Sequence, residues 1–589
     1  MNKKDRSSEQ KGLALVDGSN RSEAIVSAFA LLILLAVPLL ETFRGLDLTD
    51  MGFVLTNQRL VFSHPESVSY WFHLWLTNVL GGVVDLLFGS YGVLSHKIAG
   101  SLIYVGTMAA AFSLYKGFAK RSLILIALAV SCAFNFIFKI NIVHYNNLSV
   151  LLYVVSAVVF ASATLNRNRW GFFFSGFILG INAFARIPNA VGLAIVFVPL
   201  LIDILNRRSE TRLRLGLRDY ASFAAGAAAA VLAALLTMFA LGHLQIFIDS
   251  IGKLFSQSLF EKGGHRIDRS SYHILAVIGW PVLDTAFALL YGSALAILLG
   301  AISAGVSALG KRRGLAALAL LAVTALFFIA LTPLFASMWK YTQDGLQILY
   351  HAVAGLCYWA IVWIVLDARF DRAQKLTAVL SAFLSLALNV GSNTKIEVSS
   401  YVFPVMFPAL LTAAKAAGAL IEIRGYRPLA AHALVIVAAF AGISGFWLEG
   451  SVYRDTSAMR FTAINRQISG IYTSERRARA LDQLLAALPL YAKAGDELFA
   501  CDGNNLVNFA MRTRPYLGTA WPGMYTSEYL DIRLRAEETK MPLPVVVRSI
   551  QFDTQTKDPI GPFLERNSYR EAWRNSDFVI YIQRIVGTP

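Results

Sequence analysis

Apolar runs of about 17 to 25 residues recur along this 589-residue chain, each long enough to cross a hydrocarbon core roughly 30 Å thick. Within lipid a backbone must satisfy its own hydrogen bonds, so such runs fold as helices and the chain as a helical bundle. The runs fall near 24–43, 93–115, 121–141, 149–165, 171–187, 189–206, 220–242, 284–308, 315–337, 347–366, 376–391, 402–421 and 429–447. That predicts a mainly α, polytopic protein of about 13 spans. Composition agrees: 56% of residues are hydrophobic and only 15% charged, against about 25% charged in a soluble domain.

Charge sets the orientation. With the N-terminus in the cytoplasm, the loops that fall inside contain Lys116, Lys120 and Arg121; Arg167 and Arg169; Arg207, Arg208, Arg212, Arg214 and Arg218; Lys311, Arg312 and Arg313; Arg369, Arg372 and Lys375; Arg424 and Arg427. Every such loop is short and basic, which is the positive-inside pattern. The same loops account for the net charge of +16 without nucleic acid as a partner. Residues 1–22 read as a disordered cytoplasmic tail. The first apolar run, Ala24 to Leu40, is followed by no small-residue cleavage site and reads as a retained span. An odd number of spans places the C-terminus outside, in the periplasm of a cell with an inner membrane.

The transmembrane module covers 23–447, with long outer loops at 44–92 and 243–283. The first loop holds an amphipathic stretch, Tyr70 to Phe88, suited to lie in the interface. Residues 448–589 have soluble character. Leu481, Leu484, Leu485 and Leu488 share one face of a predicted helix over 474–490, and 497–501, 544–550 and 577–585 read as strands, giving a small extracytoplasmic α/β domain. Cys132 and Cys357 lie in apolar runs and Cys501 in this domain, with no spacing that suggests a disulfide framework or a zinc site.

No phosphate loop, dinucleotide fingerprint, HExxH or nucleophile elbow is present. The chemistry-bearing residues gather instead at the outer ends of spans, where an ionisable group is costly unless it faces a cavity. Asp47 and Asp50 follow the first span directly. A carboxylate there can deprotonate an acceptor hydroxyl or amine, cap a helix, or hold a divalent cation. Lys139 with His144, Tyr145, Asn146 and Asn147 marks the outer end of the third span. Arg186 lies at the outer turn between the fifth and sixth spans; its fixed charge and forked donors suit phosphate, although an interfacial anchor would look the same. Lys340, Asp344 and His351 form another group, Asn393, Thr394, Lys395 and Glu397 a further one, and Glu261 to Arg269, including His265 and Arg266, a last one on the same face.

An acidic motif straight after the first span, then the stretch Leu60 to Phe72 containing His64, Pro65 and Glu66, then Leu87 to Gly92, resembles the first outer loop of the GT-C glycosyltransferases. That family includes the protein O-mannosyltransferases and the lipid A aminoarabinose transferases. The resemblance implies a membrane transferase that takes a sugar from a polyprenyl-phosphate carrier and passes it to an extracytoplasmic glycan, lipid or protein with inversion. It implies Asp50, or Asp47 in its place, as catalytic base, with Asp50 the one candidate metal ligand. It points to Arg186, Lys340, Lys395 and Arg59 as cations for the carrier phosphate. His64, Glu66, His144, Asn146, His265 and Arg266 become candidate donor and acceptor contacts. The segments Asp502 to Asn505 and Arg512 to Pro515 resemble the loop that faces the membrane in the family's extracytoplasmic domain. A flippase or transporter of lipid-linked sugars would instead place charges near mid-span and show inverted repeats. An O-antigen-type ligase or polymerase would place its soluble part between late spans.

Overall fold

The computed structural model describes residues 3–118, 120–135, 141–206, 213–257, 282–293, 344–391, 401–416, 459–461, 465–539, 542–550 and 558–584. The spans expected at 315–337 and 429–447, and Lys139, Glu261 to Arg269, Lys340 and Asn393 to Glu397, lie outside them.

Helices follow one another through the first part of the chain: α1 (Lys3–Thr42), α2 (Asp50–Leu60), α3 (Trp75–Phe88), α4 (Val93–Tyr115), α5 (Arg121–Asn135), α6 (Tyr145–Asn166), α7 (Arg169–Asn182), α8 (Val198–Leu205), α9 (Leu217–Ala240) and α10 (Leu244–Gln257). Further helices cover Asp344–Leu366, Arg372–Asn389 and Phe403–Ala416. Among the described residues, 6 helical segments are long and apolar enough to cross a membrane. Five coincide with expected spans to within a few residues: Glu23–Thr42, Val93–Tyr115, Tyr145–Asn166, Ile187–Leu205 and Leu217–Ala240. Two departures stand out. The backbone of α1 is already helical from Lys3, so most of the segment expected to be a disordered tail continues the helix of the first span. The stretch Tyr70 to Phe88, expected to lie in the interface, falls within Pro65–Tyr91, another of the 6, a 3-10 helix running into α3.

Span packing relies on small residues, as it must where lipid gives no hydrophobic drive between helices. A Cβ at Gly176 of α7 would stand 2.1 Å from the Phe223 carbonyl oxygen of α9, and one at Gly226 of α9 would stand 1.9 Å from the Phe173 oxygen. The two backbones therefore touch. Local caps fix where helices begin. Asp371 accepts from the Gln374 amide, Asn168 from Trp170, and His144 and Asn147 form a reciprocal capping box at the start of α6.

The C-terminal domain is a mixed sheet with helices. Strands β3 (Glu497–Ala500), β4 (Arg514–Pro515), β5 (Val545–Ser549), β6 (Tyr569–Arg574) and β7 (Phe578–Gln583) follow β1 (Met459–Phe461) and β2 (Tyr472–Ser474), which pair with each other. The five-stranded order is β4-β3-β5-β7-β6, with β3 parallel to β4 and β5 and the rest antiparallel. The three strands read from sequence are present, and so is the helix at Glu475–Ala487, capped by Ser474. Its Leu481, Leu484, Leu485 and Leu488 are all buried, in a core shared with Leu46, Leu48, Met51 and Phe53 of the first outer loop.

That shared core is closed by backbone contacts. The Gly45 amide donates to the Tyr472 carbonyl at 2.8 Å, and the Leu506 amide to the Leu48 carbonyl at 2.9 Å. Thr56 Oγ1 donates to the Asn505 carbonyl at 3.3 Å. A Cβ on Gly52 would lie 2.2 Å from the Leu506 nitrogen, so α2 meets the C-terminal domain backbone to backbone. Gly52→Val is therefore expected to loosen this domain from the membrane part. Limited proteolysis of the purified variant should cut within residues 459–584 several times faster than in the parent protein.

Candidate active site

The first turn of α2 presents the two acids differently. Asp47 Oδ1 accepts from the Thr49 amide at 2.9 Å and the Thr49 hydroxyl at 2.7 Å, and its Oδ2 accepts from the Met51 amide at 3.0 Å. Asp47 is the cap of this helix, since Thr49 at the N-cap position makes no side-chain bond. Both its oxygens are engaged, which removes it as a free base. Asp50 accepts no hydrogen bond from any described residue. Burial, reinforced by the neighbouring Asp47 charge, pushes its carboxyl up to about 7.

The Tyr145 phenol is within electrostatic reach of both Asp50 and Arg186. Tyr401 is reached by the Asp50 charge and bonds the Asn146 side chain. Arg186 is only 6% exposed. Its Nη1 donates to Asn146 Oδ1 at 3.3 Å, and its Nη2 donates to the Leu388 carbonyl at 2.8 Å and to the Val390 carbonyl. These are the last carbonyls of the helix ending at Asn389, where a cation is favourable. The Nε of Arg186 is buried and has no hydrogen-bond partner among the described residues. A buried donor left unpaired is expensive, and a ligand oxygen would satisfy it. The fold thus gathers Asp50, Tyr145, Asn146, Arg186 and Tyr401 near the end of α7, the starts of α2 and α6 and the start of the helix at Phe403–Ala416.

Other expected contacts are engaged within the fold. His144 caps α6: its Nδ1 accepts the Asn146 amide at 3.3 Å, and its ring centroid lies 3.9 Å from that of Tyr145. Arg59 is not a free phosphate cation. Its Nη2 donates to Asp85 at 2.8 Å and to Gln467 Oε1 at 2.7 Å, its Nη1 to the Phe509 carbonyl, and the Phe509 ring lies 3.6 Å from the guanidinium carbon. Asp85 Oδ1 also lies 3.3 Å from His96 Nε2, so Arg59 and His96 share this carboxylate. Asn505 donates to the Thr49 carbonyl at 3.0 Å and Asp502 pairs with Arg548 at 2.9 Å, so both serve docking and turn geometry. His64 and Glu66 open the 3-10 helix at the far end of α2 from Asp50, away from the gathered groups. His351 is buried beside Asp284 at 3.6 Å.

For a metal, the donor set is poor. Among the described residues no group of three or more His, Cys, Asp or Glu could hold an ion. Asp50 offers a single carboxylate, since Asp47 is spent on the backbone, whereas a divalent ion takes several oxygen ligands. Tyr401 went unremarked in the sequence because a tyrosine at the edge of an apolar run usually reads as an interfacial anchor. Asp85, an acid inside the apolar stretch Tyr70 to Phe88, was the visible sign of the Arg59 clamp.

Removing Asp85 strands a buried guanidinium. Asp85→Ala is expected to cost about 3–5 kcal/mol of stability, seen as a fall in thermal unfolding temperature of the detergent-solubilised protein.

No family model matches the chain, and no curated protein matches it. Among solved structures it is similar to ArnT from Cupriavidus metallidurans bound to undecaprenyl phosphate, at 12% identity and a TM-score of 0.49, over 95% of this chain and 97% of that one. It is also similar to the Archaeoglobus fulgidus oligosaccharyltransferase in complex with Zn and sulfate, at 12% identity and a TM-score of 0.47, over 95% of this chain and 73% of that one. At this distance the likeness assigns no role to any residue.

Proposed function

We propose that this chain is an inner-membrane glycosyltransferase that moves a sugar from a polyprenyl-phosphate carrier to an extracytoplasmic acceptor. The observation that carries this reading is a desolvated Asp50 carboxylate and a buried Arg186, whose Nε lacks a partner among the described residues, both within electrostatic reach of the Tyr145 phenol.

In this reading Asp50 takes the proton from an acceptor hydroxyl or amine as that atom attacks the anomeric carbon. The new bond forms to the acceptor as the anomeric carbon–oxygen bond to phosphate breaks. The bonding pair leaves on the phosphate oxygen, and a single displacement inverts the centre. Arg186 balances the charge that develops on the departing phosphate, from a position fixed in advance by the carbonyls of Leu388 and Val390. Asn146, which orients Arg186, is a positioning residue. Lys340, Lys395, His265 and Arg266 remain proposed contacts on the same face. The donor set argues against a metal between two acids, and no step is routed through one. The positive-inside charge pattern supports a cytoplasmic N-terminus and an extracytoplasmic C-terminal domain.

Asp50→Asn is expected to lower sugar transfer from a panel of polyprenyl-phosphate sugars by roughly 10²–10⁴-fold. The base works only when ionised, so activity should rise with pH through about 7. The Asp47 charge raises the Asp50 carboxyl, so Asp47→Asn should shift that acid limb to lower pH. Full transfer by Asp50→Asn would end the assignment. A phosphatase reporter fused after Pro589 should be active only outside the cytoplasm.

A further inference from the structure

A cavity of about 530 Å³ opens at the other end of α2. Arg59 lines it and Asp50 starts the helix, so at 1.5 Å per residue the two lie about 13 Å apart along the axis. Arg512 and Arg514 line it from the C-terminal domain, His64 from the first loop, and Leu86 and Leu87 from α3.

Its charge is unbalanced. The only carboxylate in the lining, Asp85, is already held by Arg59 and His96. Arg512 is exposed, in the left-handed conformation that ends the helix Leu506–Met511, and its guanidinium makes no hydrogen bond among the described residues. Its charge nonetheless reaches Arg59. Arg514 spends its Nε on the Gly495 carbonyl at 2.8 Å, with no ion pair among the described residues. His64 Nδ1 is buried and without a partner among the described residues.

The opposite rim is apolar and continuous with a membrane span. Leu86 is 69% exposed and Leu87 68%, and Phe88 and Tyr91 follow them in the open. The chain then enters α4, a span whose Ile98 and Leu102 are exposed on one face. Bare leucines and phenylalanine ahead of a lipid-facing helix stripe, with a tyrosine between, mark the depth at which headgroups meet acyl chains. Cations at that depth favour anionic lipid.

We propose that this cavity binds the phosphodiester headgroup of an anionic bilayer lipid, with Arg512 and Arg514 on the phosphate and Leu86 and Leu87 against the first acyl carbons. The site is separate from the transfer chemistry, and its readout needs no activity.

The test is retention of lipid by the full-length protein. Purified protein is equilibrated with equal phosphatidylglycerol and phosphatidylcholine in mixed micelles, and bound lipid is counted by native mass spectrometry. The parent protein should retain phosphatidylglycerol in preference. Arg512→Glu with Arg514→Glu should lower that preference roughly tenfold or more. Leu87→Ser should weaken retention of both lipids, and monodispersity by size exclusion controls for folding. Equal retention by parent and double variant would overturn the proposal. So would displacement of phosphatidylglycerol by millimolar inorganic phosphate, which would mean a free-anion site, or by polyprenyl monophosphate, which would mean a carrier site.

Discussion

The hydrogen bond from the Leu506 amide to the Leu48 carbonyl, made possible by the bare backbone of Gly52, is the contact on which the rest of the site depends. It joins the first outer loop to the soluble domain across a large separation in sequence. With it in place, α2 packs between the helix Leu506–Met511 of that domain and α3. Asp50 then comes within electrostatic reach of Tyr145 and Tyr401. Without it, the loop would be a solvated tether and its acids ordinary surface charges.

Burial sorts the charged groups by what satisfies them. Arg59 and Asp85 are desolvated together and satisfied by each other, with Gln467, His96 and Phe509 completing the set. Such a pair contributes little net stability while intact and costs heavily when one member is removed. Arg186 is desolvated against neutral partners, the carbonyls of a helix end and the Asn146 amide oxygen. Its charge is therefore still available to an anion. Asp50 is desolvated with no donor among the described residues and a like charge close by. Among the described residues, Arg59 is neutralised by a carboxylate and Arg186 is held by neutral oxygens, a difference invisible in their chemistry alone.

The membrane-length helices were legible because hydropathy is a local, additive signal. The strands at Glu497–Ala500, Val545–Ser549 and Phe578–Gln583 were legible from their Val, Ile and Phe content. The edge strand Tyr569–Arg574 was not, because its alternation of charged residues reads as loop. In the candidate site, the sequence left Asp47 open as a substitute for Asp50. Spacing cannot say which carboxylate a helix will use as its cap. It likewise ranked Arg59 beside Arg186, since an arginine's partners lie far away in the chain: Asp85, Gln467 and Phe509 for one, Leu388 and Val390 for the other.

The sequence by itself determined that the chain crosses a membrane, that its charged residues collect at the ends of the spans, and that a small α/β domain follows. These are consequences of segment length, composition and period, each decided within a window of twenty or so residues. Only the tertiary structure decided which acid is spent on a helix, which arginine is neutralised, and which groups share a site. Those outcomes depend on desolvation and on partners brought together by folding, and neither quantity exists until the chain has closed on itself.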